Sequence, residues 1–183
     1  MSGGQTSVPL TVIAPTGPSG SAAAHHSDNP HGMLMGLPGI KIAFPSSAAD
    51  FKGLLIESIR EPNPVVFFAD LMLLGKKGDV PEGAYSIEFG KADVKREGTD
   101  VTVVAIGSTV PQALEVADQL AETGVSVEVI DPRTLVPFDW DAVAKSVSKT
   151  GRLVAVDPNR ETCGAASEII TQAVERCWSQ LKA

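Results

Sequence analysis

Residues 101–130 read VTVVAIGSTVPQALEVADQLAETGVSVEVI, and this stretch decides the fold class. Its two ends, VTVVAI and VSVEVI, are β-branched runs of strand length, while Val110, Ala113, Leu114, Ala117 and Leu120 between them form one apolar stripe at helical spacing. Gly124 follows as a residue able to take the left-handed conformation that closes a helix. A strand, a helix and a second strand in this order predict a parallel pair joined by a helical crossover. The alternation continues downstream, with a helix expected from Asp139 to Lys149, a strand at RLVAV (152–156) and a last helix from Ala165 to Trp178. Residues 99–183 therefore read as a complete α/β domain with a mainly parallel sheet.

Upstream the texture differs. VPLTVIA (8–14) is β-branched and ends at a Pro/Gly/Ser turn, so it reads as a strand followed by a loop. A short apolar run, IKIAFP (40–45), leads into SSAADFKGLLIESIR (46–60), where Phe51, Leu54, Leu55 and Ile59 keep helical spacing. Ser47 followed by Asp50 is a capping pattern, so the helix is expected to begin there. PVVFFA (64–69) is a continuous apolar run suited to a strand buried on both faces. Residues 76–98 carry mixed charge and repeated glycine without helical period and read as a linker. Residues 1–75 are thus a short α/β segment that begins on a strand, leaves a sheet edge open, and holds too few elements to close a core alone.

The bulk chemistry narrows the partners. Fifteen Lys and Arg against 22 Asp and Glu give a formal charge of −7, which argues against nucleic acid, whose binding needs clustered cations. No apolar run is long enough to span a bilayer, and the opening MSGGQTS is not a signal peptide, so no membrane partner is expected. Cys163 and Cys177 are too few and too far apart for a zinc or disulfide framework and fit a reducing compartment.

All three histidines fall in AAAHHSDNPHG (22–32), a concentration with three readings. One is a solvated turn. The second is a metal site, against which stand the divergent directions of adjacent His25 and His26 and the lack of acidic or thiol ligands at a recognised spacing. The third is proton transfer, since an imidazole titrates closest to neutrality.

The blocks MSGGQTSVPLTVIAPTGPSGSAAAHHS (1–27), LPGIKIAFPSSAADFKGLLIESIREPNPVVFF (37–68), GKADVKREGTDVTVVAIGSTVPQALEVADQL (90–120) and SVEVIDPRTLVPFDW (126–140) together resemble the β subunit of the decarboxylating component of 2-oxo acid dehydrogenase complexes, of pyruvate or acetoin type, within the transketolase-like superfamily. The resemblance runs from Met1 to Trp178. It implies the second half of a transketolase-like pyrimidine-binding domain in residues 1–75 and a complete transketolase C-terminal-type domain in 99–183. It also implies thiamine diphosphate shared with an α subunit that holds magnesium, a second β subunit, and a dihydrolipoyl acyltransferase core as partners. The setting would be the bacterial cytoplasm or, in a eukaryote, the mitochondrial matrix. The family's glutamate toward the aminopyrimidine ring precedes the region that Met1 opens, so this chain by itself is expected to be inactive.

On the same resemblance the family's active-site histidine falls on His26, which would stabilise an alkoxide or protonate a lipoyl sulfur, with His25 and His31 beside it or facing solvent. Main-chain oxygens of Leu10, Ser58, Ile59, Glu61 and Asn63 match a potassium site. The alternative is an ordinary turn at REPNP (60–64). The family's usual arginine is missing at APTG (14–17), a departure that bears on the acyl substrate. The leading expectation is oxidative decarboxylation, of pyruvate above all, with acyl transfer to lipoyl. The rivals are a non-catalytic assembly and docking module of such a complex, and the same region of a transketolase-like synthase.

Overall fold

The computed structural model describes residues 5–18, 22–23 and 25–182. Met1–Gly4 and loop positions 19–21 and 24, quoted above, lie outside the described residues. Two four-stranded mixed sheets, mostly parallel, carry the fold. In the first, β1 (Thr11–Thr16), β3 (Val65–Asp70) and β2 (Lys41–Ala43) run parallel, and β7 (Thr134–Val136) closes the edge antiparallel to β2. In the second, β6 (Val127–Asp131), β5 (Val101–Ala105) and β8 (Leu153–Val156) run parallel, with β4 (Asp93–Arg96) antiparallel on β6. Five helices join them: α1 (His31–Met35), α2 (Ala48–Arg60), α3 (Thr109–Glu122), α4 (Trp140–Thr150) and α5 (Ala165–Cys177).

Period-two alternation sorts the strands between layers. From β3, Val65 and Phe67 face Leu54 of α2, while Phe68 faces the opposite way into the main core. From β6, Val127 and Val129 meet Ala117 of α3, while Ile130 turns to the main core. That core is shared: Ile42, Phe44 and Phe68 of the first half interlock with Val104, Ile106 and Ile130 of the second and with Val143, Val147 and Ile169 of α4 and α5. The first half, too small by itself, thus closes its core on the second.

The segment 76–98 departs from the linker reading. Its last residues form β4 in the second sheet. Before that, Phe89 is buried with Phe67 and Leu54, and the Tyr85 hydroxyl donates to the Ala49 carbonyl at 2.7 Å. Ile87 N–H donates to the Gly53 carbonyl at 3.2 Å, and a Cβ at Gly53 would overlap Ile87 and Tyr85. Side-chain docking rather than periodic structure holds this stretch, which is why its sequence carries no period. At the other margin the expected open edge is present: β1 ends the first sheet, and Val12 and Ile13, on opposite faces, are 45% and 50% exposed. Among the described residues no helix is long and apolar enough to cross a membrane.

Candidate active site

Ligands of parallel α/β sheets sit at the carboxyl ends of the strands. Here three connections converge there: the histidine loop after β1, Pro45–Ser47 after β2, and the turn from Asp70 after β3. Asp70 organises the convergence. Its Oδ1 accepts from Met72 N–H at 2.9 Å and its Oδ2 from Ser108 N–H at 2.8 Å. Gly17, at φ +107°, lies so close that a Cβ would stand 3.0 Å from Asp70 Oδ1. The loop closes on itself where Gly17 N–H donates to the Asp28 carbonyl at 3.2 Å and Thr16 Oγ1 donates to the same oxygen at 2.6 Å.

His26 rides the exposed crest of this loop, in a turn where its N–H donates to the Ala23 carbonyl at 3.2 Å. Its ring lies 4.2 Å from that of His25, and both border a cleft of about 420 Å³ walled by Pro15, Pro30 and Leu71. Among the described residues no group of three or more His, Cys, Asp and Glu side chains is placed to hold a metal ion.

His31 departs from the solvent-facing reading. It is fully buried, with its ring edge-on to Phe44 and Phe68, and Nε2 lies 2.7 Å from Asp157 Oδ1. Burial alone would raise the Asp157 pKa, yet the His31 contact and the backbone N–H groups of Asn159 and Ala166 hold it below the ordinary carboxylate range. Among the described residues no partner meets the buried His31 Nδ1. The partners are 126 residues apart in sequence, and no local pattern announces them.

A second cleft of about 420 Å³ adjoins the first across the Asp70 turn, between Ser46, Ser47 and Phe51 on one side and Leu73, Lys76 and Lys77 on the other. Sequence reasoning missed what stands behind it. Ser46 Oγ donates to Asp131, and Lys95 Nζ lies 2.7 Å from Asp50 and 3.8 Å from Asp131. Burial pushes the fully enclosed Asp131 up to about 6, while Lys95 and Ser46 pull it down. Burial opposes the charge of Lys95 as well, but Asp131, Asp50 and Asp93 raise its pKa. The only signal in the sequence was the charge in ADVK (92–95) and DPR (131–133), which reads equally as exposed loop.

The positions matched to potassium gather at the opposite, amino ends of the strands. Ser58 O accepts from Thr11 Oγ1 at 2.8 Å, Leu10 O accepts from Val65 N–H at 2.8 Å, and Glu61 Oε2 lies 2.6 Å from Lys41 Nζ. Burial raises the Glu61 pKa, but Lys41 and Asn63 overcome it and lower the value. Ile59 and Asn63 are exposed there. Protein donors thus meet the Leu10 and Ser58 carbonyls, and the Lys41 ammonium meets the Glu61 carboxylate, at this corner.

Family models match both halves of the chain: the transketolase pyrimidine-binding domain over residues 1–77 and the transketolase C-terminal domain over residues 90–183. The chain belongs to the transketolase family. Its transketolase-like fold is shared by a solved split-gene transketolase described as an inactive β4 tetramer, at TM-score 0.75 and 24% identity over 91% of this chain and 54% of that one. Nearer in sequence is the acetoin:2,6-dichlorophenolindophenol oxidoreductase subunit beta of Bacillus subtilis (strain 168), 44% identical over all 183 residues and 54% of that protein. The pyruvate dehydrogenase E1 component subunit beta of the same organism is 40% identical over all 183 residues and 56% of its length. The chain thus spans about half the length of the curated relatives it matches, which are named as β subunits of an acetoin oxidoreductase and of a pyruvate dehydrogenase.

Proposed function

We propose that the chain is part of the β subunit of a thiamine-diphosphate-dependent dehydrogenase that takes a small 2-oxo acid, pyruvate above all, or acetoin, and passes the acyl group to a lipoyl arm. The observation that carries the reading is His26, an accessible imidazole on a turn braced at the carboxyl ends of parallel strands and bordering a cleft. When bound, thiamine diphosphate supplies the carbanion chemistry. Pro15, Pro30 and Leu71 offer apolar walls against which a flat ring can lie. The nearby carboxylates are occupied, Asp28 by Arg160 and Asp70 by backbone N–H groups. The acid contact to the cofactor ring is therefore assigned to neither Asp28 nor Asp70 in this reading. In this reading His26 donates or accepts the proton at the reacting oxygen or at the lipoyl sulfur.

The partners follow from the same reading: an α subunit holding the diphosphate and magnesium, a second β subunit, and an acyltransferase core. Potassium at Leu10, Ser58, Ile59, Glu61 and Asn63 is a weaker element of it, and a melting temperature equal in potassium and sodium buffers would remove it. The identities of 44% and 40% support acetoin and pyruvate alike, so both substrates belong in the assay. A second reading, an assembly module without chemistry, is favoured by the apolar side chains that β1 exposes.

The deciding experiment assembles the complete β subunit with its α partner and measures turnover with a lipoyl acceptor. His26→Ala is expected to lower turnover by about two to four orders of magnitude, with cofactor affinity little changed and His25→Ala much milder. Full turnover in His26→Ala overturns the catalytic role and leaves the assembly reading. Decarboxylation of pyruvate by this chain alone, with thiamine diphosphate and magnesium, overturns the need for partners.

A further inference from the structure

The loop that carries His26 belongs to the first sheet, yet its far end is gripped by the second half of the molecule. His31, on the helix that directly follows the loop, reaches Asp157 at 2.7 Å. Asn29 Nδ2 donates to the Pro158 carbonyl at 2.9 Å, and Arg160 Nη2 meets Asp28 Oδ2 at 2.7 Å. Backbone also touches backbone: a Cβ at Gly32 would overlap the Cys163 carbonyl oxygen, so the chains meet more closely than any other residue permits.

Asp157 is itself fixed. Its Oδ1 also accepts from Asn159 N–H at 3.0 Å, and its Oδ2 accepts from Ala166 N–H at 3.1 Å, at the start of α5. The carboxylate therefore stands on a 13-residue helix packed into the main core rather than on a free loop. The Phe44 and Phe68 rings hold the His31 imidazole edge-on. A buried hydrogen bond to a carboxylate is stronger than one between neutral groups, and removing one partner strands the other.

We infer that His31 and Asp157 are positioning residues: together they form a clasp through which the second half of the molecule sets the height and orientation of the His26 loop. The inference deepens the catalytic reading of His26 and rests on it only for its effect on turnover. The clasp itself is a statement about which segment holds the loop.

The test uses amide hydrogen exchange on the full chain, following Gly17 N–H and Ser27 N–H in the loop against β5 and β6 amides in the core. In His31→Leu, loop exchange is expected to rise about tenfold to a hundredfold while β5 and β6 remain as in the wild type. In His31→Gln, whose amide keeps an N–H for Asp157, the loop should stay within about threefold of wild type. Should His31→Leu fail to fold, the isosteric Asp157→Asn carries the same test, with a smaller rise confined to the loop. Loop and core exchange rising together would reduce the pair to ordinary core stability, and an unchanged loop would show that other contacts hold it. Either result overturns the clasp. Turnover of the assembled enzyme separates the two claims. A clasp that behaves as stated beside a silent His26→Ala sinks the catalytic reading alone, whereas a damaging His26→Ala beside an unmoved loop sinks the clasp alone.

Discussion

The two sheets are built from the same parts and finish differently. The second has α3 on one face and α4 and α5 on the other, and β6 is buried along its whole length. The first has α2 on one face and borrows the other cover from the second half, while β1 at its margin is exposed on both faces. The difference teaches that similar apolar side chains hold the core in one place and lie open in another. Apolar side chains at the junction of the sheets hold the molecule together, and chemically similar ones on β1 present surface instead.

That contrast is sharpest in paired substitutions. Phe68 is fully buried in the shared core, so Phe68→Ala should cost about 3–5 kcal/mol in chemical denaturation. Val12→Ala on β1 should cost within about 0.5 kcal/mol in the same assay. Equal losses would mean that β1 belongs to the folding core of the chain by itself.

The buried acids give the next effect. Asp157 has a lowered folded-state pKa, so its stabilisation is complete above the ordinary value of about 3.9 and is lost as pH falls through the lower folded value. Asp157→Asn should therefore lower the opening free energy of the His26 loop, read from its amide exchange, by about 1 kcal/mol at pH 7, with the gap closing as pH falls below that ordinary value. Asp131 has the opposite sign. Its folded value near 6 means that its contribution is present at pH 4 and declines as pH rises toward 7. A gap for Asp157→Asn that widens on acidification would contradict the assigned ionised state.

Helix caps give a smaller contrast. The side chain of Ser47, the N-cap of α2, accepts from Asp50 N–H, whereas that of Ser108 makes no cap bond to α3. Ser47→Ala should lower stability by about 1 kcal/mol and Ser108→Ala by a few tenths. The smallest effect concerns the exposed stretch between Leu74 and Gly83. A protease nick there should leave two fragments that co-elute on gel filtration, because the shared core still joins them. Their separation would show that the covalent link, not the core, holds the halves together.

The elements most legible from sequence were those whose burial repeats along the chain. The α3 stripe and the strands on either side of it lie within a few residues of their expected bounds, and Ser47 caps α2 as its spacing predicts. Illegible were features made by single contacts between distant segments. Phe89, Ile87 and Tyr85 dock on α2 without any period. β7 is three residues long, too short to show alternation, and its partner lies in the other half of the chain. His31 looked like its two neighbours in a polar loop because Asp157, which explains its burial, is far away in sequence. His26 owes its place to a family resemblance, since nothing in composition or spacing separates it from His25.

The lateness of β7 also has a bearing on how the chain is made. β2 ends at Ala43, and the strand that covers its outer edge begins at Thr134, about ninety residues later. At synthesis rates of roughly 5–20 residues per second, that edge waits roughly 5–20 s for its partner. During the wait its free N–H and C=O groups can pair with any passing strand, a neighbouring nascent chain included. Slower translation between β3 and β7 should accordingly lower the soluble yield of this protein in cells without changing the stability of the molecules that do fold.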